Sequence, residues 1–323
     1  MNITLPPSLL EILDNYEKIV INCTAPQYRS ISAQLHMTLL PMKETIAILH
    51  TPYQSCSSHS FKQFQKNEKT LVIQVGGICS KHEHVYVFPI DIPSIKPLSL
   101  TDNSVIVIEP SLLQKYSFIK QLNSEYLVTD MKDALSIREK AEKNGITSVT
   151  ILYATEYFNS FPFQLYFSPL SMKKINVISG EEKDCTNETM KYVMNRYSLF
   201  DTIRSADTFM LLLLDPDWYN HPMFEAMRKL LMEEHEVVTV FMGSPDNKLL
   251  NYCGKVDIVI LFGCDCSELK YDGDIPCVTP FEVLYSLYLS YDLEWNGQYP
   301  IGIERSLPFV KMALENEGIS IDF

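Results

Sequence analysis

The sequence predicts an α/β protein that is built from mainly parallel sheets flanked by helices. Short runs of β-branched and other apolar residues recur along the 323 residues, without the polar alternation of a strand that has one solvated face. Between these runs, apolar residues recur at helical spacing. Strands that are apolar on both faces are typical of a parallel sheet covered by helices on both sides.

The predicted strands each end at turn-forming or polar residues, and most are followed by a helical stretch. This order of elements favours strand–helix–strand units, in which parallel strands are joined by helical crossovers. The predicted strands are residues 18–23, 45–50, 70–75, 85–90, 104–109, 148–153, 174–179, 208–215, 236–242 and 257–263.

Three helices are predicted in the last part of the chain. One covers 191–204, another covers 222–234, and a third begins at Thr279, which is followed by Pro280 and by Glu282 as in a capping box. In the first of these helices the spacing of apolar residues predicts a buried face, made of Tyr192, Val193, Tyr197, Phe200 and Ile203.

The strand runs group into three blocks of similar plan, which predicts three small α/β domains. Their bounds are 1–100, 101–185 and 186–323. A proline-containing stretch at 89–97 and a polar stretch at 181–188 are the predicted joints between them.

Composition and charge narrow the class of protein. Hydrophobic residues make up 46% of the chain and charged residues 21%, which excludes a disordered or fibrous protein. The net charge of −13 argues against a nucleic-acid partner, because binding phosphates needs a concentrated positive field. The apolar runs are far shorter than the roughly 20 residues that span a bilayer, and the first residues do not resemble a secretory signal. We therefore expect a cytoplasmic protein without a membrane partner.

Three of the eight cysteines lie in segments that follow predicted strands, and Cys264 follows its strand immediately. Cys56 comes after the strand at 45–50, Cys79 after 70–75 and Cys264 after 257–263. In parallel sheets, ligands bind beyond the carboxyl ends of the strands, so all three lie where chemistry is expected. A buried cysteine can also act as a small hydrophobic residue, and Cys23 inside the first strand is predicted to belong to the core.

The spacing of the cysteines does not decide between an iron–sulfur cluster and a zinc site. No local iron–sulfur loop is present, so any cluster must be assembled by the tertiary structure. Cys56-Ser57-Ser58-His59 and Cys79-Ser80-Lys81-His82 form two Cys-x2-His pairs, which could together bind zinc. Cys185 follows the last strand of the middle block and is an alternative ligand.

Several motifs in the first block resemble those of the diphthamide-biosynthesis proteins that form 2-(3-amino-3-carboxypropyl)histidine synthase. The segment Tyr53-Gln54-Ser55-Cys56 resembles the family's Tyr-Gly-Ser/Ala-Cys motif, with glutamine in place of a glycine. The segment Val75-Gly76-Gly77 resembles its His-Tyr-Gly element, although the histidine and the tyrosine are absent.

The third block carries the clearer resemblance, in matching order and spacing over about residues 190–295. It includes an Arg-Tyr-x-Leu helix, a Lys-Leu-x-Asn segment, a Gly-Cys strand end and a Thr-Pro-Phe-Glu helix start. In this sequence these are Arg196-Tyr197-Ser198-Leu199, Lys248-Leu249-Leu250-Asn251, Gly263-Cys264 and Thr279-Pro280-Phe281-Glu282.

The resemblance implies three similar domains around a central cleft, with a [4Fe-4S] cluster bound by Cys56, Cys79 and Cys264. The catalytic subunits of this family take one cysteine from each domain, the middle one in a Gly-Cys-Thr context, whereas the second eukaryotic subunit takes two from the first domain. Here the middle block offers only Asp184-Cys185-Thr186, so the chain resembles a compact second subunit.

The implied function is the first step of diphthamide biosynthesis, in which the 3-amino-3-carboxypropyl group of S-adenosylmethionine is transferred to a histidine of elongation factor 2. The second subunit is an accessory member of the radical transferase heterodimer: it assists the catalytic subunit, which uses S-adenosylmethionine, by electron relay or by support. An electron donor protein is then a further partner. The alternative is a non-redox scaffold protein of the same fold, either stapled by zinc or free of metal.

Overall fold

Three sheets with flanking helices make up the architecture. The structure is a computed structural model, and it describes residues 3–23, 28–50, 69–76, 84–89, 103–112, 127–128, 137, 140–154, 158, 170–214, 216–242, 255–263, 274–289 and 303–319.

The first sheet has four parallel strands in the order β2-β1-β3-β4. Helices α1 (Pro7–Leu13) and α2 (Arg29–Leu39) bury Leu9, Leu13, Leu35 and Leu39 against one face, together with alternate residues of β1 and β3. The strands are β1 (Lys18–Cys23), β2 (Glu44–His50), β3 (Thr70–Val75) and β4 (Val85–Phe88).

The second sheet has the order β6-β5-β7-β8-β9 and is parallel except for its last pair, β8 and β9, which is antiparallel. A short 3-10 helix at Pro110–Leu112 follows the strand β5. The strands are β5 (Ser104–Ile108), β6 (Leu127–Val128), β7 (Ser148–Tyr153), β8 (Ser171–Asn176) and β9 (Glu182–Asp184).

The third sheet is parallel, in the order β11-β10-β12-β13. Its strands are β10 (Thr208–Leu213), β11 (Glu236–Phe241), β12 (Ile258–Phe262) and β13 (Cys277–Val278). The helices of this part are α3 (Thr186–Arg204), α4 (Pro222–Met232), α5 (Pro280–Leu284) and α6 (Ile303–Asn316), with a 3-10 helix at Pro216–Asn220 and a π-helical turn at Tyr285–Leu289.

Most strands at the centre of the three sheets are almost entirely buried, as near-continuous apolar strands in parallel sheets should be. Every residue of β5 and β12 is buried, and so are all but the first residues of β1, β7 and β10. The predicted fold class, α/β with mainly parallel sheets flanked by helices, is therefore confirmed.

The described residues divide into two compact units, one up to Glu188 and one from Thr189 onward. The first unit holds the first two sheets, and the second unit holds the third sheet with its helices. The division into three domains at 100 and 185 stays a prediction. Among the described residues, no helix combines the length and the apolar character that crossing a membrane requires.

The strand predicted at 174–179 was displaced by several residues. The structure has β8 at Ser171–Asn176, followed by a turn. The side-chain Oδ1 of Asn176 accepts hydrogen bonds from the backbone N–H of Ile178 (2.9 Å) and Ser179 (3.1 Å), and Gly180 follows with a φ of 71°. Asparagine in this role closes a turn, so it ended the strand inside the apolar run.

Substitution of a core leucine tests the packing of the third sheet. Leu211 lies in the middle of β10 and is 0% exposed, so Leu211→Ala should lower the free energy of unfolding by about 2–5 kcal/mol. Met194 lies on α3 and is 67% exposed, and Met194→Ala should change it by less than about 0.5 kcal/mol. Urea unfolding of the two variants measures both values. Equal losses would contradict the burial of β10.

Candidate functional site

The carboxyl edge of the first sheet is the place from which two predicted ligand segments leave. Cys23, the last residue of β1, is in register with His50 at the end of β2 and with Val75 at the end of β3. The three parallel strands therefore end at one level. Since neighbouring strands lie about 4.8 Å apart, the backbones at His50 and Val75 are separated by about 10 Å.

The chain turns sharply as it leaves β3. Gly76 is buried and has a φ of 84°, in the left-handed region that glycine adopts most readily. A residue with a β-carbon would be strained at this position. Gly76, the first glycine of the segment Val75-Gly76-Gly77, is thus required by the backbone conformation.

Two buried polar side chains lie one residue behind this edge. Asn22 of β1 is 0% exposed and Gln74 of β3 is 3% exposed, and the two residues are paired in register. They point to the face of the sheet opposite to Cys23, because successive side chains of a strand alternate between faces. They were not predicted as site residues, although each is a polar residue inside a mainly apolar strand.

The third sheet presents a corresponding edge. Leu213 at the end of β10 is in register with Phe241 at the end of β11 and with Phe262 at the end of β12. Gly263 directly follows β12 and is buried. The start of α5, next to β13, lies at the same edge, because Val278 is in register with Ile260.

A buried ion pair fixes this edge of the third sheet. The guanidinium of Arg196 on α3 donates from Nε to Oε1 of Glu282 (2.7 Å), from Nη2 to Oε2 of Glu282, and from Nη1 to the backbone oxygen of Cys277 (3.0 Å). Arg196 is 8% exposed and Glu282 is 0% exposed. Burial alone would lower the pKa of Arg196, but the charge and hydrogen bonds of Glu282 outweigh it and hold the pKa above its ordinary value.

Glu282 also completes the capping box that was predicted for α5. Its backbone N–H donates to Oγ1 of Thr279 (3.2 Å), and its Oε2 accepts from the backbone N–H of Thr279 (2.6 Å). The carboxylate therefore caps the helix and pairs with Arg196 at the same time. As a result, two motifs of the family resemblance, Arg-Tyr-x-Leu and Thr-Pro-Phe-Glu, are in direct contact.

This contact corrects the predicted buried face of α3. Tyr197, expected on that face, is 42% exposed, whereas Val193, Arg196, Phe200 and Ile203 are buried. The prediction counted only apolar residues and so omitted an arginine whose charge is neutralised inside the unit.

The described cysteines are buried and carry no disulfide. They are Cys23, Cys185 and Cys277. Burial raises the pKa of the Cys277 thiol to about 12, and burial is also the largest cause that raises the pKa of Cys185. The Cys185 thiol donates a hydrogen bond to the backbone oxygen of Lys183 at 3.7 Å. The prediction that Cys23 belongs to the core is confirmed by its place in the core of the first sheet.

The residues of both predicted metal sites lie outside the part of the chain that the structure describes. They are Cys56, Cys79 and Cys264 for the cluster, with His59 and His82 for zinc. Within the described part, no group of three or more histidine, cysteine or acidic side chains could hold a metal ion. The roles of the three cysteines, and of Cys185 as their alternative, stay predictions.

A cleft of about 320 Å³ lies at the opposite edge of the third sheet. It is lined by Thr202 and Ser205 at the end of α3, by Asp257 before β12 and by 274–276 before β13. Oδ2 of Asp257 accepts hydrogen bonds from the backbone N–H groups of Asp207 (3.1 Å) and Thr208 (3.0 Å), so this carboxylate joins the starts of two strands.

Comparison with solved structures gives a match over nearly the whole chain. Dph2 from Pyrococcus horikoshii aligns with a TM-score of 0.57 and 10% sequence identity, covering 94% of this chain and 96% of that chain. A structure of the same protein with a 4Fe-4S cluster aligns with a TM-score of 0.52 and 13% identity, covering 94% and 95%. The fold is that of Dph2. No known protein-family profile and no curated protein sequence matches the chain.

The sequence motifs that resemble the diphthamide-biosynthesis family include the two that the Arg196–Glu282 pair joins. The pair itself was not predicted, since its members are separated by 86 positions in the sequence.

Removal of the buried arginine tests the role of this pair. Arg196→Met leaves the Glu282 carboxylate buried with only the Thr279 N–H as a described donor, so the free energy of unfolding should fall by about 3–5 kcal/mol. Arg228 makes a similar two-point contact with Glu225, but their side chains are 37% and 56% exposed. Arg228→Met should therefore cost less than about 1 kcal/mol. Urea unfolding at pH 7 measures both, and similar losses would show that burial adds nothing to the Arg196–Glu282 pair.

Thiol labelling tests the burial of the described cysteines. A raised pKa keeps a thiol protonated at neutral pH, and the protonated form is a poor nucleophile. Cys185 and Cys277 should therefore react with iodoacetamide at pH 8 far more slowly in the folded protein than in urea. Mass spectrometry of digested samples gives the rate for each cysteine. Rapid labelling of either residue in the folded protein would contradict its burial.

Proposed function

We propose that the chain is the iron–sulfur subunit 2 of 2-(3-amino-3-carboxypropyl)histidine synthase, which carries out the first step of diphthamide biosynthesis. Its cluster is [4Fe-4S], bound by Cys56, Cys79 and Cys264. The observation that carries the proposal is the likeness to Dph2 over 94% of this chain and 96% of the other. A structure of that protein contains a 4Fe-4S cluster.

The donor set has the right chemistry for such a cluster, because thiolates are the usual protein ligands of iron–sulfur clusters. The described strand ends also suit it. About 10 Å separates the ends of β2 and β3, and an extended residue spans about 3.3–3.6 Å. Cys56 is six positions past His50 and Cys79 is four positions past Val75, so both segments are long enough to bridge that gap.

Within each unit, described residues fix the strand ends from which the ligand segments leave. The register of β1 with β2 and β3 holds two of the strand ends at one level. At the edge from which Cys264 follows Gly263, Arg196 and Glu282 fix the start of α5. A cubane held by three thiolates would have one iron without a protein ligand. When bound, the cluster would supply the reactivity of this open iron.

The distribution of the cysteines supports an accessory role within a heterodimer. Two of the proposed ligands precede residue 100, while the middle block offers only Cys185, in the context Asp184-Cys185-Thr186. The catalytic subunit then binds S-adenosylmethionine and modifies elongation factor 2, with this chain relaying electrons from a donor protein in the cytoplasm or supporting its partner.

Metal analysis of matched variants tests the cluster. After anaerobic reconstitution with iron and sulfide, Cys264→Ser should lose most of the bound iron, because it removes one of three ligands. Cys277→Ser is the matched control and should keep its iron, since Cys277 is buried beside the Arg196–Glu282 pair. Iron, sulfide and zinc are measured in each purified variant.

The histidines separate the cluster from a zinc site. The double variant His59→Ala with His82→Ala should keep its iron, whereas a tetrahedral zinc site that used both histidines would lose its metal. If the protein binds zinc instead of iron and the double variant loses it, the chain is a zinc-stapled scaffold of the Dph2 fold and the proposal is wrong. If the protein binds neither metal, it is a metal-free scaffold.

Activity measurements test the accessory role. With reductant, S-adenosylmethionine and elongation factor 2, the isolated chain should transfer no 3-amino-3-carboxypropyl group, and addition of the catalytic subunit should restore transfer. Mass spectrometry of elongation factor 2 detects the added group. Modification by the isolated chain would show that it is itself catalytic.

A further inference from the structure

The first sheet has a topological switch point between β1 and β3. Its strand order is β2-β1-β3-β4, so β2 lies on one side of β1, and β3, the next strand along the chain, lies on the other side. Cys23 and Val75 end these two central strands in register. In open α/β sheets, small ligands bind in the crevice outside the carboxyl ends of the strands at such a point. Both strands belong to the first unit, so this crevice lies within it.

The helix α2 begins at the same edge of the sheet. It connects β1 to β2, which are parallel, so it runs back along the sheet and its first residues lie at the carboxyl ends of the strands. Leu35 and Leu39 of α2 share the core of this sheet with Cys23 and Val75. The positive end of the helix dipole is therefore directed at the edge that holds the crevice.

No carboxylate of the first turn of α2 neutralises this positive end. Tyr28 precedes the helix without a side-chain cap hydrogen bond, and the first turn contains no acidic residue. Arg29, the first residue of the helix, is exposed and adds a positive charge. A helix start with these properties favours a negatively charged group, because its backbone N–H groups and its dipole both attract one.

Ser32 gives a second and independent indication of a ligand. It is 0% exposed, and among the described residues its hydroxyl has no hydrogen-bond partner. Buried polar groups without a partner are costly and therefore rare in native structures. Ser32 lies one turn before Leu35 on the buried side of α2, and the Cα–Cβ bond of a helical residue leans toward the start of the helix. The hydroxyl is thus directed toward the first turn, where a bound anion would be its partner.

The other side of the crevice carries no side chain where the chain leaves β3. Gly76 follows β3 directly, is buried and has a φ of 84°. Glycine at such an edge allows a phosphate group to approach the backbone closely. The connection from β1 to α2, residues 24–28, contains no glycine, so the sequence has no glycine-rich phosphate loop here and its motifs do not reveal the site.

We propose that the start of α2 is a phosphate-binding site. The Ser32 hydroxyl and the backbone N–H groups of the first turn donate to the phosphate oxygens, and Arg29 contributes positive charge. The phosphate is either the free ion or a phosphate group of a nucleotide. The proposal goes beyond the proposed function and does not depend on it, since none of these residues is a proposed cluster ligand.

Binding of inorganic phosphate and of ADP to the full chain tests the site. Phosphorus NMR titrations measure the Kd of each probe, at constant ionic strength because the net charge of −13 makes anion binding sensitive to salt. Ser32→Ala should raise the Kd about tenfold, since it removes a hydrogen bond to a charged group. In phosphate-free buffer it should not lower the free energy of unfolding, because the hydroxyl that it removes is unpaired there.

The matched control is Ser198→Ala, the same change at an exposed serine of α3, which should leave the Kd unchanged. Tighter binding of ADP than of inorganic phosphate would identify a nucleotide as the source of the phosphate, and equal or weaker binding would identify the free ion. Urea unfolding of each variant confirms that it is folded.

Two results would overturn the proposal: a wild-type chain that binds neither probe, and binding that Ser32→Ala does not weaken. Titrations of the chain with and without bound iron separate this site from the cluster. Binding to the iron-free chain that depends on Ser32 supports the phosphate site even if the proposed function fails.

Discussion

Parallel pairing is the constraint on which the candidate site depends. A parallel sheet brings the carboxyl ends of all its strands to one edge, so residues far apart in sequence leave the sheet side by side. Here His50 and Val75 end level with Cys23, although β2 and β3 are separated by a long connection. Because of this register, the segments that contain Cys56 and Cys79 leave the sheet from strand ends at the same level.

In the third sheet, the Arg196–Glu282 pair fixes the position of α5, which strand register alone does not fix. The strand β13 has only two residues, so its ladder is too short to fix the helix that follows it. Arg196 lies on a separate helix, α3. It binds both the Glu282 carboxylate in the first turn of α5 and the backbone oxygen of Cys277. A buried charged pair is rarely the most stabilising choice, but it specifies one geometry, because either partner alone would be a buried unpaired charge.

The sequence was sufficient for the elements whose stability is local. Apolar runs predicted the buried strands, and Thr279 with Glu282 predicted a helix start that the structure has as a full capping box. The errors occurred where a polar side chain made a contact that apolar periodicity does not reveal. Asn176 ended β8 early by closing a turn, and Arg196 replaced Tyr197 on the buried face of α3 because its partner lies 86 positions away.

The two outer strands of the third sheet show how one sheet can have a closed edge and an open one. At β13 the backbone is covered by the Arg196 guanidinium and the strand is short, so a further strand has little to pair with. At β11 the strand has six residues and both faces carry exposed valine, threonine or phenylalanine. Exposed apolar surface on a long outer strand invites pairing with other strands, whereas a short strand whose backbone is covered by a charged side chain does not.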